Sequence, residues 1–186
     1  ISLPKSVSQI GAYAYKGCPL QGTLDLMNIK DIGEGAFEGC TGLTSVVLPE
    51  NLLRIEASLF QGCTGLTVVN IPECVTTIGT SAFASCSRLQ SVAIPDEVER
   101  IEDYAFKGCS NMKHLAIGNS VKKIGVEAFG ECRRLKSLSI PASVDSILSS
   151  FVDCDSVSSL ELKDGNRPIL IEGKCFNGGN MMIDTL

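Results

Sequence analysis

Apolar positions recur along the chain with a period of 23 residues. The clearest copy runs from Leu66 to Cys86 (LTVVNIPECVTTIGTSAFASC), and nearly the same pattern returns from Leu89 to Cys109 and from Met112 to Cys132. With each repeat cysteine as position zero, apolar residues follow at +3, +6 and +8. A proline is common at +9, apolar residues return at +12 and +15, and alanine with phenylalanine closes the unit at +19 and +20. A fixed period of this size marks a solenoid in which each unit buries its apolar face only against its neighbours. The pattern predicts one domain over residues 1–186, built of about eight units of 22–25 residues.

Within a unit, +5 to +8 alternates exposed and buried positions and is rich in β-branched residues, which predicts a short strand. Its buried members are Leu24 and Leu26, Val46 and Leu48, Val69 and Ile71, Val92 and Ile94, Leu115 and Ile117, Leu138 and Ile140, Leu160 and Leu162. Pro4, Pro49, Pro72, Pro95 and Pro141 end these strands, because proline offers no ladder donor. Pairs such as Val75 with Ile78 and Val98 with Ile101 predict a second, shorter extended piece. The run from Thr80 to Ser85 places alanine, phenylalanine and cysteine on one face of a helical turn. The expected unit is a strand, a corner, a brief strand and a helical turn.

All seven phenylalanines, Phe37, Phe60, Phe83, Phe106, Phe129, Phe151 and Phe176, fall at one position of the repeat, with Tyr15 standing in for the first unit. Rings about one strand spacing apart, ~4.8 Å, stack with an offset, so this column is the expected spine. The register slips at the first unit around Pro19 and Gly22, at the sixth, which loses a residue before Phe151, and at the last, from Asp164 to Pro168. In that last unit Ile171, Cys175 and Phe176 fit the isoleucine, alanine and phenylalanine columns, and Gly179 replaces the cysteine. The apolar tail MMIDTL is expected to fold onto the last coil or to meet another chain, and end-to-end self-association is one such contact. Leu3 and Pro4 sit at the end of a strand whose first half is missing, as expected of a piece of a longer protein.

Composition adds limits to this picture. Hydrophobic residues make up 44% and charged residues 20%, far from the balance of a disordered chain. A net charge of −5 repels polyanions overall and argues against nucleic acid as a partner. No stretch has the ~20 apolar residues of a membrane helix, so no membrane insertion by this segment is expected, and the first residues lack the pattern of a signal peptide.

The motif LxxVxIPxxVxxIGxxAFxxC resembles the repeat of the BspA-like leucine-rich repeat family over nearly the whole chain. Departures are local: Gly118 stands for the strand-ending proline, Leu59 and Ser150 for alanine, and Met112 for leucine. The resemblance implies an α/β fold, a right-handed leucine-rich repeat solenoid with short parallel strands on its concave side. It also implies a secreted or cell-surface protein that adheres to host matrix proteins or to other cells. The family motif contains no catalytic residue, so none is carried over and no enzyme is expected.

The remaining chemistry is sparse. Seven cysteines, Cys18, Cys40, Cys63, Cys86, Cys109, Cys132 and Cys154, share one column. Parallel vectors near the ~4.8 Å strand spacing suit packed, reduced thiols better than bridges, which need Cβ atoms closer and converging. Cys74 and Cys175 fall outside the column, and Cys74, expected to be exposed, is the best candidate for a reactive or intermolecular thiol. Metal-ligand spacings are absent, no cofactor is expected, and the lone His114 is expected on the exposed side of a strand, with Ser91 and Ser137 at equivalent positions. The acids Asp96, Glu97, Glu99, Glu102 and Asp103 read as a solvated face.

Exposed strand positions are the surface on which solenoids meet partners. The candidate face comprises Ser45, Val68, Ser91, His114 and Ser137 at +5 and Val47, Asn70, Ala93, Ala116 and Ser139 at +7, beside a basic patch of Lys113, Arg133, Arg134 and Lys136. It is small, mostly neutral and without aromatic anchors. Two readings stand: a non-catalytic module that adheres to a protein or a glycan, and a purely structural spacer of a larger surface protein.

Overall fold

A computed structural model of the chain describes residues 3–163, 165, 169–172 and 182–185. Sixteen short strands are present: β1 (Gln9–Ile10), β2 (Gln21–Asp25), β3 (Asp31–Ile32), β4 (Gly42–Val47), β5 (Arg54–Ile55), β6 (Val68–Val69), β7 (Thr77–Ile78), β8 (Ser91–Ala93), β9 (Arg100–Ile101), β10 (His114–Ala116), β11 (Lys123–Ile124), β12 (Ser137–Ile140), β13 (Ser146–Leu148), β14 (Ser159–Leu162), β15 (Leu170–Glu172) and β16 (Met182–Thr185). They alternate between two parallel stacks. Even-numbered strands pair as β2-β4-β6, β8-β10 and β12-β14-β16, and odd-numbered strands as β1-β3 and as a six-stranded sheet from β5 to β15. Eight strands in each stack, one from each of the eight units expected from the repeat, span about seven full turns among the described residues.

Register follows the repeat: Ile55, Ile78, Ile101, Ile124, Ile147 and Ile171 pair along the odd stack. The backbone of β16 adds in parallel to β14, so the tail folds onto the last coil. Cys175, Phe176 and Gly179 lie outside the described residues.

The described residues contain strands and no helix, which corrects both the α/β class and the helical turn expected between Thr80 and Ser85. The backbone amides there take alternate partners. Ser81, Phe83 and Ser85 donate to Asp103, Ala105 and Lys107 of the next coil, whereas Ala82, Ala84 and Cys86 donate three residues back within their own coil. A helix would send every amide backwards. Two residues in each such turn are also left-handed, Ser81 and Ser85 in this one (φ 56° and 61°), which a right-handed helix does not accommodate. Apolar spacing alone does not separate this turn from a helical one, because both place Ala82, Phe83 and Cys86 inward.

The rings stack as the period requires. From Tyr15–Phe37 to Phe129–Phe151, six successive pairs have centroids 5.1 to 5.7 Å apart and planes within 18° of parallel. Next to them runs the file of thiols. The Sγ of Cys63 donates to the carbonyl of Phe37 at 3.2 Å, and Cys86, Cys109, Cys132 and Cys154 repeat the contact to Phe60, Phe83, Phe106 and Phe129. Where Ser150 replaces alanine it is fully buried and donates to the Ile124 carbonyl at 3.1 Å. Gly118 allows a close approach, since a Cβ there would lie 2.2 Å from the Pro95 carbonyl oxygen.

Candidate functional site

The alternation along the even strands places apolar residues inward and the candidate residues outward. Asn70, Ser91, Ala93, His114, Ala116 and Ser137 are exposed, Val47 and Val68 retain 39% and 45% of their surface, and Ser45 and Ser139 are half-buried. Backbone pairing sets Ser45 beside Val68, Ser91 beside His114 and Ala93 beside Ala116. The row is joined at one end by the hydroxyls of Thr23 and Ser45, 2.7 Å apart.

These residues do not form one continuous sheet. The hydrogen-bonded ladder is interrupted between β6 and β8 and again between β10 and β12, so the candidate face is divided into three panels. A groove of about 470 Å³ follows the first interruption, lined by Val68, Asn70, Ser91, Ala93, Glu73 and Asp96. A second, of about 370 Å³, follows the other and is lined by Leu115, Ser137, Ser139, Ser159 and Glu161. The parting of the wall there leaves Leu115 and Ile117 half-buried, where the repeat predicts full burial, and Leu162 is half-buried too. The hydroxyl of Ser139 is buried without a hydrogen-bond partner.

Thr67, Arg88, Gln90 and Asn111 were not among the candidates, yet they line a further depression of about 360 Å³ with Lys113 and Arg134. Its signal lay in the sequence, since Arg88 and Arg134 share +2 and Lys113 and Lys136 share +4. The ionic contacts lie elsewhere, on the odd stack and the turns. There Lys122 meets Glu99 at 3.0 Å, and Glu102 holds Arg100 at 2.8 Å and Lys123 at 3.1 Å. Burial pushes the Glu102 carboxyl up, but these two cations outweigh it and hold it below the ordinary value.

The His114 side chain makes no hydrogen bond to Ser91 or Ser137, and among the described residues no group of three or more His, Cys, Asp or Glu is placed to hold a metal ion. No helix among them is long and apolar enough to cross a membrane. Burial pushes the thiols of Cys63 and Cys109 up to about 12 and that of Cys40 to about 11. They are therefore protonated donors at neutral pH and poor nucleophiles. Cys18 is half-buried at the end of the file, unlike the six cysteines that follow it. Cys74 is likewise half-buried and not exposed as expected: its Sγ donates to the carbonyls of Glu50 at 2.8 Å and Leu52 at 3.3 Å.

The chain is similar to several solved structures of bacterial proteins. A leucine-rich repeat protein of T. pallidum is 25% identical with a TM-score of 0.60, over 89% of this chain and 72% of that one. The pneumococcal vaccine antigen PcpA is 19% identical with a TM-score of 0.62, over 96% of this chain and 54% of that one. A leucine-rich repeat protein of Bacteroides ovatus is 22% identical with a TM-score of 0.49, over 92% of this chain and 59% of that one. The chain thus spans little more than half the length of two of these three proteins. No curated protein matches it. The family model for the BspA type Leucine rich repeat region matches residues 1–113 and 76–184, in six copies. With ring, thiol and isoleucine files in the register of that repeat, the chain belongs to the BspA type leucine-rich repeat family.

Proposed function

We propose that the chain is a non-catalytic binding module of a secreted or cell-surface protein, and that the outward face of its even-numbered strands adheres to host or other-cell proteins. The observation that carries this reading is the pair Val47 and Val68. Both are exposed, on adjacent strands β4 and β6, beside the exposed Asn70 and the groove that runs along Ser91 and Ala93. Apolar side chains flanking a polar groove offer the buried centre and wet rim of a modest protein interface. The membership of the family and a structural neighbour that is a pneumococcal vaccine antigen support a place at the cell surface.

The second reading is a rigid spacer, favoured by the unbroken stack of rings from Tyr15 to Phe151. The test is a double substitution, Val47→Gln with Val68→Gln, in the chain displayed on beads presented to films of matrix protein. Loss of bead capture with an unchanged unfolding midpoint supports the binding face. Capture equal to that of the parent chain assigns the role of spacer.

A further inference from the structure

We infer that the depression beside β8, β10 and β12 binds a linear anionic glycan, a sulfated or uronic-acid-bearing polysaccharide, laid along the solenoid axis across Arg88, Lys113, Arg134 and Lys136. The depression lined by Arg88, Lys113 and Arg134 shares the last two with a neighbouring one of about 540 Å³ that adds His114, Lys136 and Ser137. Together they make one trough.

Charge is segregated to produce it. From Thr41 to Ser159, positions +1, +2, +4 and +5 of every coil hold five Lys or Arg and a single acid, Asp155, in a chain whose net charge is −5. Of the five, Arg133 is tied to Glu131 at 3.6 Å, while Arg88, Lys113, Arg134 and Lys136 form no ion pair among the described residues. The odd-stack lysines Lys122 and Lys123 are both paired. Unpaired cations held in one trough are the ones whose attraction is free for a ligand.

Spacing selects a repeating polyanion. Lys113 and Lys136 occupy the same position of adjacent coils and Arg88 and Arg134 the same position two coils apart, a ladder of cations parallel to the axis. The other groups in the trough, Thr67, Gln90, Asn111, Ser137 and Ser156, are hydroxyls and amides suited to sugar hydroxyls. A single-stranded nucleic acid would want aromatic platforms for its bases. The exposed rings, Tyr13 and Tyr104, instead sit on the turns.

The trough borders the proposed protein-binding face, shares His114 and Ser137 with it, and stands independently of it. The test is retention of the chain on immobilised heparin, with hyaluronan, neutral dextran and single-stranded DNA as parallel arms. Retention on heparin is expected, with hyaluronan weaker and dextran silent, and affinity falling roughly twenty- to fiftyfold when salt is tripled, as release of counterions from about four cations requires. R88Q/K113Q/R134Q/K136Q is expected to lose at least tenfold, K113Q and R134Q singly to lose part of that, and K122Q/K123Q and V47Q/V68Q to lose nothing. Failure of heparin to retain the chain, equal retention of the quadruple variant, or equal loss in K122Q/K123Q overturns the inference. Tighter retention on single-stranded DNA than on heparin overturns it in favour of nucleic acid. Because V47Q/V68Q leaves the trough intact, loss of protein adhesion without loss of heparin binding separates the two surfaces.

Discussion

The thiol of Cys86 donates to the carbonyl oxygen of Phe60 at 3.2 Å, and the same oxygen accepts the amide of Cys63 at 3.1 Å. One acceptor thereby serves two coils, its own through the backbone and the next through a side chain. This explains why the column is cysteine and not alanine: the site admits a small apolar group that must also carry a proton. Cys86→Ala removes the donor but leaves Phe60 one partner, at an expected cost of ~1 kcal/mol. Cys86→Val keeps the apolar character and adds bulk where the file is closed on both sides, at ~1 to 3 kcal/mol. Chemical denaturation should place the valine variant below the alanine one, and the reverse order would mean that the column has room to spare.

Phe83 lies between Phe60 and Phe106, with ring centroids 5.6 and 5.1 Å away, and is fully buried. Phe83→Ala opens a void that neither neighbour can fill without leaving its own stack, so the expected loss is ~3 to 5 kcal/mol. The unfolding midpoint in urea reads it directly. A loss under about 1 kcal/mol would mean that the coils collapse around the gap, contrary to a rigid spine.

Alkaline pH should destabilise the chain through the same thiols. Cys63 and Cys109 titrate at about 12 when folded, above the ordinary thiol value of 9.0. Between those limits the unfolded chain has released its protons and the folded chain has not, so stability falls as pH rises. Below pH 9 these groups contribute no slope. Above it each buried thiol should subtract ~1.4 kcal/mol per pH unit until its folded value is reached. Denaturation curves from pH 8 to pH 11, compared with those of Cys63→Ala with Cys109→Ala, should show a shallower decline in the double variant.

The period made the ring and thiol files and the isoleucine pairing legible before any coordinate, because side chains one coil apart must stack if the repeat closes. Geometry inside the coil was not legible to the same degree. Ala82, Phe83 and Cys86 point inward whether the turn is helical or built from alternating hydrogen bonds, and periodicity reports only the direction. Strand alternation is enough to turn Ser91 and His114 outward, but the division of the face at β6/β8 and β10/β12 depends on how strands splay, which no single residue encodes. Arg88 is one cation in its own coil, and its link to Arg134 is legible only through the shared +2 position, which stacking turns into one trough.

The second left-handed position of each turn carries the last prediction. It holds Gly17, Gly39, Gly62 and Gly108 in four coils, and Ser85, Glu131 and Asp153 in the others, all with φ between 58° and 75°. A side chain in this region is strained by contact with its own backbone, which glycine avoids at the cost of a freer unfolded chain. At Gly108 an added Cβ meets Ser85 at 3.5 Å, an ordinary contact, so the penalty for Gly108→Ala is conformational and should be ~1 kcal/mol. Ser85→Gly reverses the trade at an exposed site between Gly62 and Gly108 and should raise stability by ~0.5 to 1 kcal/mol. Measured together, the two substitutions should shift the unfolding midpoint in opposite directions. A fall in both would show that Ser85 is held by something other than its backbone.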